Sequence, residues 1–353
     1  MKLVRLAKRP TDWDQLIQAF PNKTLFHEAA WLDYMHSIHP LGRTEHFEIV
    51  DGSSTVGYFC AVRVKKLLID VWGSPLPGTG MYLGPLVHKD VDQFEVVRLI
   101  IDHCKENRIA HIELSNDWLK PEVMQALGFQ VHANFTHICP LDGGVASVWA
   151  RMKGTCRTRI RKAEKSGLAA QLTSDPAIVD WFYPRFVRGL EQKGVAPVYG
   201  IDTPRALLKH LLPAGRVFAL TVKHGNEVIA AGFYPHDDQS MYYWDSAYDP
   251  DYLQLSPNEL LHWTAMKLAM DRGIPLFNIG GGPNPSRFTQ KFGGSTVPYV
   301  VYCKSILPFL STAKRLYWFF DRQRYKIVQL IGGVERKLPQ RAPGTKAGSD
   351  RAA

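Results

Sequence analysis

From residue 227 to residue 294 the chain reads as two strands, a loop, a helix and a further strand ending in three glycines, and no other segment constrains the fold as tightly. Residues 227–234 (EVIAAGFY) and 241–248 (MYYWDSAY) are apolar and aromatic runs of strand length. The helix is announced by Ser256-Pro257-Asn258-Glu259, a Ser-x-x-Glu capping box with proline at the first helical position. Leu261, Ala265, Leu268 and Ala269 mark its inward face, and Gly273 with Pro275 ends it. Phe277, Asn278 and Ile279 then form a strand running into Gly280, Gly281 and Gly282. A helix that starts soon after a strand exposes unpaired backbone N–H groups, which suit a phosphate or belong simply to a well-capped helix.

At 353 residues the chain has room for two domains. Residues 11–39 read as helical, with Trp13, Leu16, Ile17 and Phe20 on one face and a second helix over 31–38. Strands at 45–51 and 55–65 meet at Asp51-Gly52, a hairpin dipeptide. Residues 81–87, 111–115 and 135–141 are further strands, and 91–107 a helix with Phe94, Val97, Ile101 and Cys104 on one face. After a boundary near 141–144, Met152, Cys156, Ile160 and Ala163 stripe a helix ended by Gly167. A helical region over 175–212 precedes strands at 216–223, 227–234 and 241–248, with later strands at 276–279 and 297–303. This alternation predicts an α/β chain of two domains, 1–142 and 143–305, then a basic amphipathic helical tail over 306–335 and a disordered end over 336–353.

The net charge of +10 is concentrated. Residues 151–165 hold seven Lys/Arg against one Glu, and residues 304–353 hold eleven against three acidic groups. Such clusters suit anionic partners: phosphates, nucleic acid or an acidic membrane. The five cysteines are scattered without a CxxC pair, as in reduced thiols of the cytoplasm. No apolar leader opens the chain, and no uncharged stretch reaches the roughly 18 residues that span a bilayer. The histidines lack HExxH or similar spacing, so no metal is expected, and no Gly-x-Ser-x-Gly elbow points to a serine hydrolase.

Within 241–248, alternation puts Tyr243 and Asp245 on one face and Tyr242, Trp244 and Ser246 on the other. Asp245 can accept a proton from an attacking amine and Tyr243 can donate one to a leaving group; equally, both can be ordinary strand residues. The triple glycine is followed by no Gly-Lys-Ser/Thr, so it is no nucleotide-hydrolysing loop; it serves a close backbone approach or a tight turn. Arg157, Arg161 and Lys165 share one helical face, either a phosphate-binding fork or a solvated charged face.

Taken together these fragments resemble the GNAT superfamily of N-acetyltransferases, in its branch of Fem-type peptidoglycan-bridge transferases. The residues that carry the resemblance are Leu83-Gly84-Pro85-Leu86-Val87, Leu127-Gly128-Phe129, His137-Ile138-Cys139-Pro140-Leu141 and the basic run 157–163. Ser256-Pro257-Asn258, Gly280-Gly281 and Phe288-Thr289-Gln290-Lys291-Phe292-Gly293 complete the series over roughly residues 20–305. The resemblance implies two tandem GNAT-like domains with mixed, largely antiparallel sheets, the first degenerate. It further implies transfer of an acyl group in the second, from acyl-CoA or an aminoacyl-tRNA, to a cell-envelope or exopolysaccharide precursor such as an amino sugar.

On that reading Asp245 and Tyr243 handle protons, while Ser256, Pro257, Asn258, Ala231 and Gly232 hold the donor. Arg157, Arg161, Lys162, Gly281, Phe288, Thr289 and Lys291 hold an anionic or lipid-linked saccharide acceptor. The Fem-type pattern Phe-Lys-x-x-Phe-Gly is altered here: Thr289 stands at the lysine position and Lys291 two residues on. That departure, and the lack of an inserted helical hairpin, favour acyl-CoA over tRNA; DNA is not expected as a partner. Aromatic and basic residues of the tail, from Ile306 to Arg324, suit the inner face of a membrane or packing on the first domain. A membrane- or complex-docking module without catalysis is the remaining alternative.

Overall fold

The computed structural model describes residues 1–39, 41–66, 69–76, 79–282 and 287–307. β1 (Lys2–Arg5) lies along β2 (Arg43–Asp51), which turns at Asp51-Gly52 into β3 (Ser54–Lys66), as the dipeptide predicts. Glu45, Phe47 and Ile49 of β2 are buried and alternate with half-buried residues, the period of two that a strand against a core requires. The helical reading of 11–39 holds in part: α1 (Trp13–Leu16) is a single turn, and α2 (Ala29–Ile38) is the expected second helix. β4 (Ile69–Ser74), β5 (Pro85–Val87), α3 (Gln93–Glu106), β6 (Ile109–Leu114), α4 (Pro121–Ala126) and β7 (Gln130–Pro140) follow. The strand expected over 81–87 is confined to β5, because Gly84 takes φ 78° and its amide bonds Ser74 Oγ at 2.9 Å.

The second half contains α5 (Gly144–Arg151), α6 (Gly154–Lys165), β8 (Leu168–Leu172), α7 (Ile178–Glu191), α8 (Asp202–Leu211) and β9 (Val217–His224). Then come β10 (Glu227–Pro235), β11 (Ser240–Tyr242), β12 (Asp245–Tyr248), α9 (Pro257–Asp271), β13 (Leu276–Gly282) and β14 (Ser295–Ser305). Among the described residues there is a ten-stranded sheet, ordered β1-β2-β3-β4-β6-β14-β7-β13-β11 with β5 beside β3, and a four-stranded sheet, β12-β10-β9-β8. Two pairings are parallel, β4 with β6 and β11 with β13, each bridged by a crossover helix. The other pairings are antiparallel, so the fold is the mixed, largely antiparallel α/β architecture that the alternation predicts.

Met1–Ile306 form one compact unit. β14 enters the large sheet between β6 and β7, so the last described strand completes a sheet begun by the first. A core of Trp13, Leu25, Trp31, Phe182, Leu207 and Phe233 ties α2 to α7 and α8. A second core packs Cys156, Ile160, Ala163, Leu261 and Phe277 around α6 and α9, the stripes seen in the sequence. Between β7 and α5, Gly143 takes φ 77° at the place where the sequence puts its boundary. The tail expected over 306–335 and the end beyond it lie, past Leu307, outside the described residues.

Candidate active site

The strand read at 241–248 breaks in two, and the break makes the site. β11 runs parallel to β13 from Ser240 opposite Leu276 to Tyr242 opposite Asn278, and the Tyr243 amide adds a bond to the Asn278 carbonyl at 2.8 Å. The Trp244 amide then turns to the Phe233 carbonyl at 3.1 Å, and β12 pairs with β10 in the other sheet. Two neighbouring strands thereby diverge around a cleft of about 1270 Å³. The expected alternation of faces is lost at the break: Tyr243, Trp244, Asp245 and Ser246 all contribute to the cleft wall.

α9 starts at this cleft, where Ser256, Asn258 and Glu259 line it. The capping box does not form. Ser256 sits at φ 63°, ψ 45° and makes no side-chain cap bond. Glu259, only 3% exposed, instead receives Lys291 Nζ at 2.6 Å and Arg159 Nη1 at 2.9 Å. A buried carboxylate needs cationic partners more than it needs one backbone amide, so tertiary contacts override the local motif. Asn258 Oδ1 is buried with no hydrogen-bond partner among the described residues, an acceptor that a ligand can satisfy.

Asp245 accepts a hydrogen bond from the Tyr199 hydroxyl at 2.6 Å. Burial pushes its carboxyl up to about 6, and the Tyr199 hydroxyl and Lys193 hold that rise in check. The Tyr243 hydroxyl lies 3.0 Å from Ser246 Oγ; burial, and then the Asp245 charge, raise its pKa, so it stays protonated. His262 is brought down to about 3 by burial and then by Lys291, and its Nδ1 lies 2.8 Å from the Tyr234 hydroxyl. The cleft thus combines a proton acceptor poised near neutrality with a neutral hydroxyl donor.

Of the residues nominated by sequence, Tyr243, Asp245, Ser256, Asn258, Lys162, Gly281, Phe288 and Thr289 line the cleft. Pro257 is buried in the first turn of α9. Ala231 and Gly232 lie within β10, opposite Ala247 and Ser246, and stay out of the cleft wall. Lys291 is buried against the Phe288 ring, 3.8 Å from its centre, and engages Glu259. Arg157 and Arg161 turn toward α5: Arg157 donates to the Ala150 carbonyl at 3.0 Å, and the Arg161 guanidinium lies 5.3 Å from the Trp149 ring. The face of α6 that reaches the cleft carries Arg159 and Lys162. A Cβ on Gly281 would meet the Phe135 carbonyl at 1.7 Å, so this glycine serves a close approach to β7.

Residues 150–287, from the end of α5 past β13, match the family model of the acetyltransferase (GNAT) domain. That stretch is similar to a GNAT domain. No curated protein matches it at a significant level. The crystal structure of FemX superposes with a TM-score of 0.68 at 13% identity, covering 86% of this chain and 97% of FemX. The structure of L-PGS from Bacillus licheniformis gives 0.54 at 12% identity, covering 86% and 94%. A tandem GNAT protein from the clavulanic acid biosynthesis pathway gives 0.50 at 11%, covering 87% and 99%. At these identities the likeness is one of fold.

The cleft region also holds residues that sequence reasoning missed. Tyr199, in the α7–α8 loop, had no periodicity or motif to mark it; it reaches Asp245 across 46 positions. Arg159 was hidden in a run of like charges, and Glu259 was assigned to a cap. Outside the cleft, His111 and Glu113 on β6 and Cys303 on β14 bring ligand-type atoms within 4.8 Å of one another. Tertiary pairing assembles that cluster, and a 3.2 Å contact joins His111 Nε2 to Glu113 Oε1. Among the described residues no helix is long and apolar enough to cross a membrane.

Proposed function

We propose that this protein is an N-acyltransferase that moves an acyl group from acyl-CoA to an amine of a cell-envelope or exopolysaccharide precursor, such as an amino sugar. The observation that carries the reading is the half-buried Asp245 carboxylate in the wedge that opens where β11 leaves β13 and the chain passes into β12. A thioester laid in that wedge presents its carbonyl beside Asp245 and Tyr243. The amine nitrogen forms the new N–C bond while Asp245 takes its proton, the C–S bond breaks, and the Tyr243 hydroxyl protonates the departing thiolate. The donor phosphates belong at Ser256 and Asn258, where the N-terminus of α9 offers uncapped N–H groups and Arg159 and Lys162 supply positive charge. FemX and L-PGS, whose folds this chain shares, suggest an envelope setting with the protein at the inner face of the membrane.

The test is transfer by the full chain from radiolabelled acetyl-CoA to an amino sugar, with product read by mass spectrometry, beside an aminoacyl-tRNA arm. Labelled amide from acetyl-CoA supports the reading. Transfer from aminoacyl-tRNA alone replaces the donor, and absence of transfer from both defeats it.

A further inference from the structure

On the large sheet, two paired strands put four donor-bearing side chains on one face. His111 and Glu113 are two positions apart on β6 and so point to the same side. β14 runs antiparallel beside it, with Cys303 opposite Glu113 and Ser305 opposite His111. Directly opposite residues share a face, with Cβ atoms about 5 Å apart, so the four side chains form a two-by-two patch. The intervening Ile112 and Tyr302 turn the other way, into an apolar core. β6 is an interior strand, held between β4 and β14, and His111, Glu113 and Cys303 are only 5%, 7% and 7% exposed. Such positions usually take apolar side chains, because burying an imidazole or a carboxylate is costly without strong partners.

The donor atoms are spaced as one metal ion requires. His111 Nε2 stands 3.2 Å from Glu113 Oε1. Two such ligands, each about 2.0–2.1 Å from a tetrahedral zinc, stand roughly 3.3 Å apart. The nitrogen, the oxygen and the Cys303 sulfur all lie within 4.8 Å of one another, so closing the widest pair onto an ion takes a movement of only about 1 Å. A His–Glu hydrogen bond would account for two of the three donors; the thiol completes three of the four positions that zinc uses. His111 Nδ1 lies 3.3 Å from Ser305 Oγ. With Nδ1–H donated to that hydroxyl, the Nε2 lone pair faces Glu113, the outer contact that metal-bound histidines keep. The charges also balance, since a carboxylate and a thiolate together cancel a divalent ion and leave the filled site neutral in the interior. A thiolate beside an imidazole selects a borderline-soft ion over magnesium or calcium, which prefer oxygen ligands.

We infer that His111, Glu113 and Cys303 form a zinc-binding site that fastens β14 to β6, with Ser305 orienting the imidazole. On binding, the Cys303 thiol gives its proton to solvent and its sulfur bonds the ion, beside His111 Nε2 and a Glu113 oxygen. The ion joins the last described strand to an interior one, so its role is to hold that strand in register, and it stands independently of the acyltransferase reading. Histidine spacing along the chain predicts no metal because the set is divided between two distant strands, with Ser305 194 positions from His111.

The experiment is metal analysis and calorimetric titration of the full chain, free of any polyhistidine tag, with zinc chloride after chelator treatment and with magnesium chloride as the control. The expected result is one zinc per chain with Kd below about 1 μM, no saturable magnesium binding, and a thermal midpoint that rises with zinc. Cys303→Ser weakens zinc binding by about tenfold or more, whereas Cys60→Ser, at another buried thiol, leaves it unchanged. Cobalt identifies the ligands directly: the full chain shows tetrahedral visible bands with a sulfur-to-cobalt charge-transfer band, and Cys303→Ser loses the latter. Should that variant fold poorly, His111→Gln gives a second arm with the same loss of affinity, and the unaltered chain's stoichiometry and cobalt spectrum stand without either. Zinc removed by dialysis, or affinity and spectrum indifferent to both substitutions, overturns the inference and leaves an adventitious ion only.

Discussion

The two halves contain the same strand–helix–strand crossover with opposite outcomes. In the first, β4 stays paired with β6 from Asp70 to Ser74, and Ser74 then fastens the exit: its hydroxyl bonds the Cys60 carbonyl and receives the Gly84 amide, while its carbonyl accepts from the Ser115 amide at 3.0 Å. The Leu76 side chain packs over Gly73 where a cleft would begin. In the second, β11 leaves β13 after Tyr242, and the space fills with Tyr243, Trp244 and Asp245. The helices differ to match. Asp92 caps α3 by accepting from the Phe94 amide at 3.0 Å, supplying a built-in anion, whereas Ser256 leaves the N-terminus of α9 without a side-chain cap. A crossover becomes a site when its parallel strands part and its helix start is left without a side-chain cap.

The largest effect expected from this contrast is at Asp245. Asp245→Asn removes the proton acceptor from the open wedge, and turnover drops by about 100-fold or more in single-turnover assays while acyl-CoA affinity stays within a factor of a few. Retained turnover would mean the wedge works without its carboxylate. The same change alters stability against pH in a defined direction. The native carboxyl titrates at about 6 against 3.8 for an unperturbed group, so the folded state holds its proton more tightly. Its contribution is fully present below about 4 and is lost as pH rises through about 6, by an amount up to roughly 3 kcal/mol. Asp245→Asn abolishes that slope in thermal melts between these two pH values.

Next comes the buried cluster that replaces the cap. Glu259→Gln leaves Lys291 without its carboxylate in the interior, and denaturant melts should show a loss of about 3 kcal/mol. A loss below about 1 kcal/mol would return Glu259 to a surface-like role.

The smallest effect sharpens the comparison of the helix starts. Asp92→Ala in the closed half costs about 1 kcal/mol in denaturant melts and leaves transfer unchanged. Ser256→Ala costs only a few tenths in the same measurement, since no cap bond is lost. Equal costs at the two positions would erase the distinction between a capped and an uncapped crossover.

Much of this was legible in one dimension. The hairpin at Asp51-Gly52, the apolar stripes of α6 and α9, and the strands flanking α9 follow from local periodicity and turn chemistry, which act over a few residues. Tyr243 and Asp245 were legible because they set a proton donor and a proton acceptor at alternate positions of one strand. The split of 241–248 was not legible: its eight residues read as one strand, and only competition between Asn278 in one sheet and Phe233 in the other breaks it. Likewise Ser256 and Glu259 satisfy a capping rule that Arg159 and Lys291, 100 and 32 positions away, overrule.

The sequence by itself determined which segments are strands and helices, their order, and the residue types available for acyl-transfer chemistry, because propensity and patterning are local. Tertiary structure alone decided where the sheet opens, that Tyr199 meets Asp245, and that the cations of α6 facing the cleft are Arg159 and Lys162 rather than Arg157 and Arg161. Those outcomes depend on burial and on partners far apart in the chain, and the energies of buried charges exceed those of the local motifs they displace.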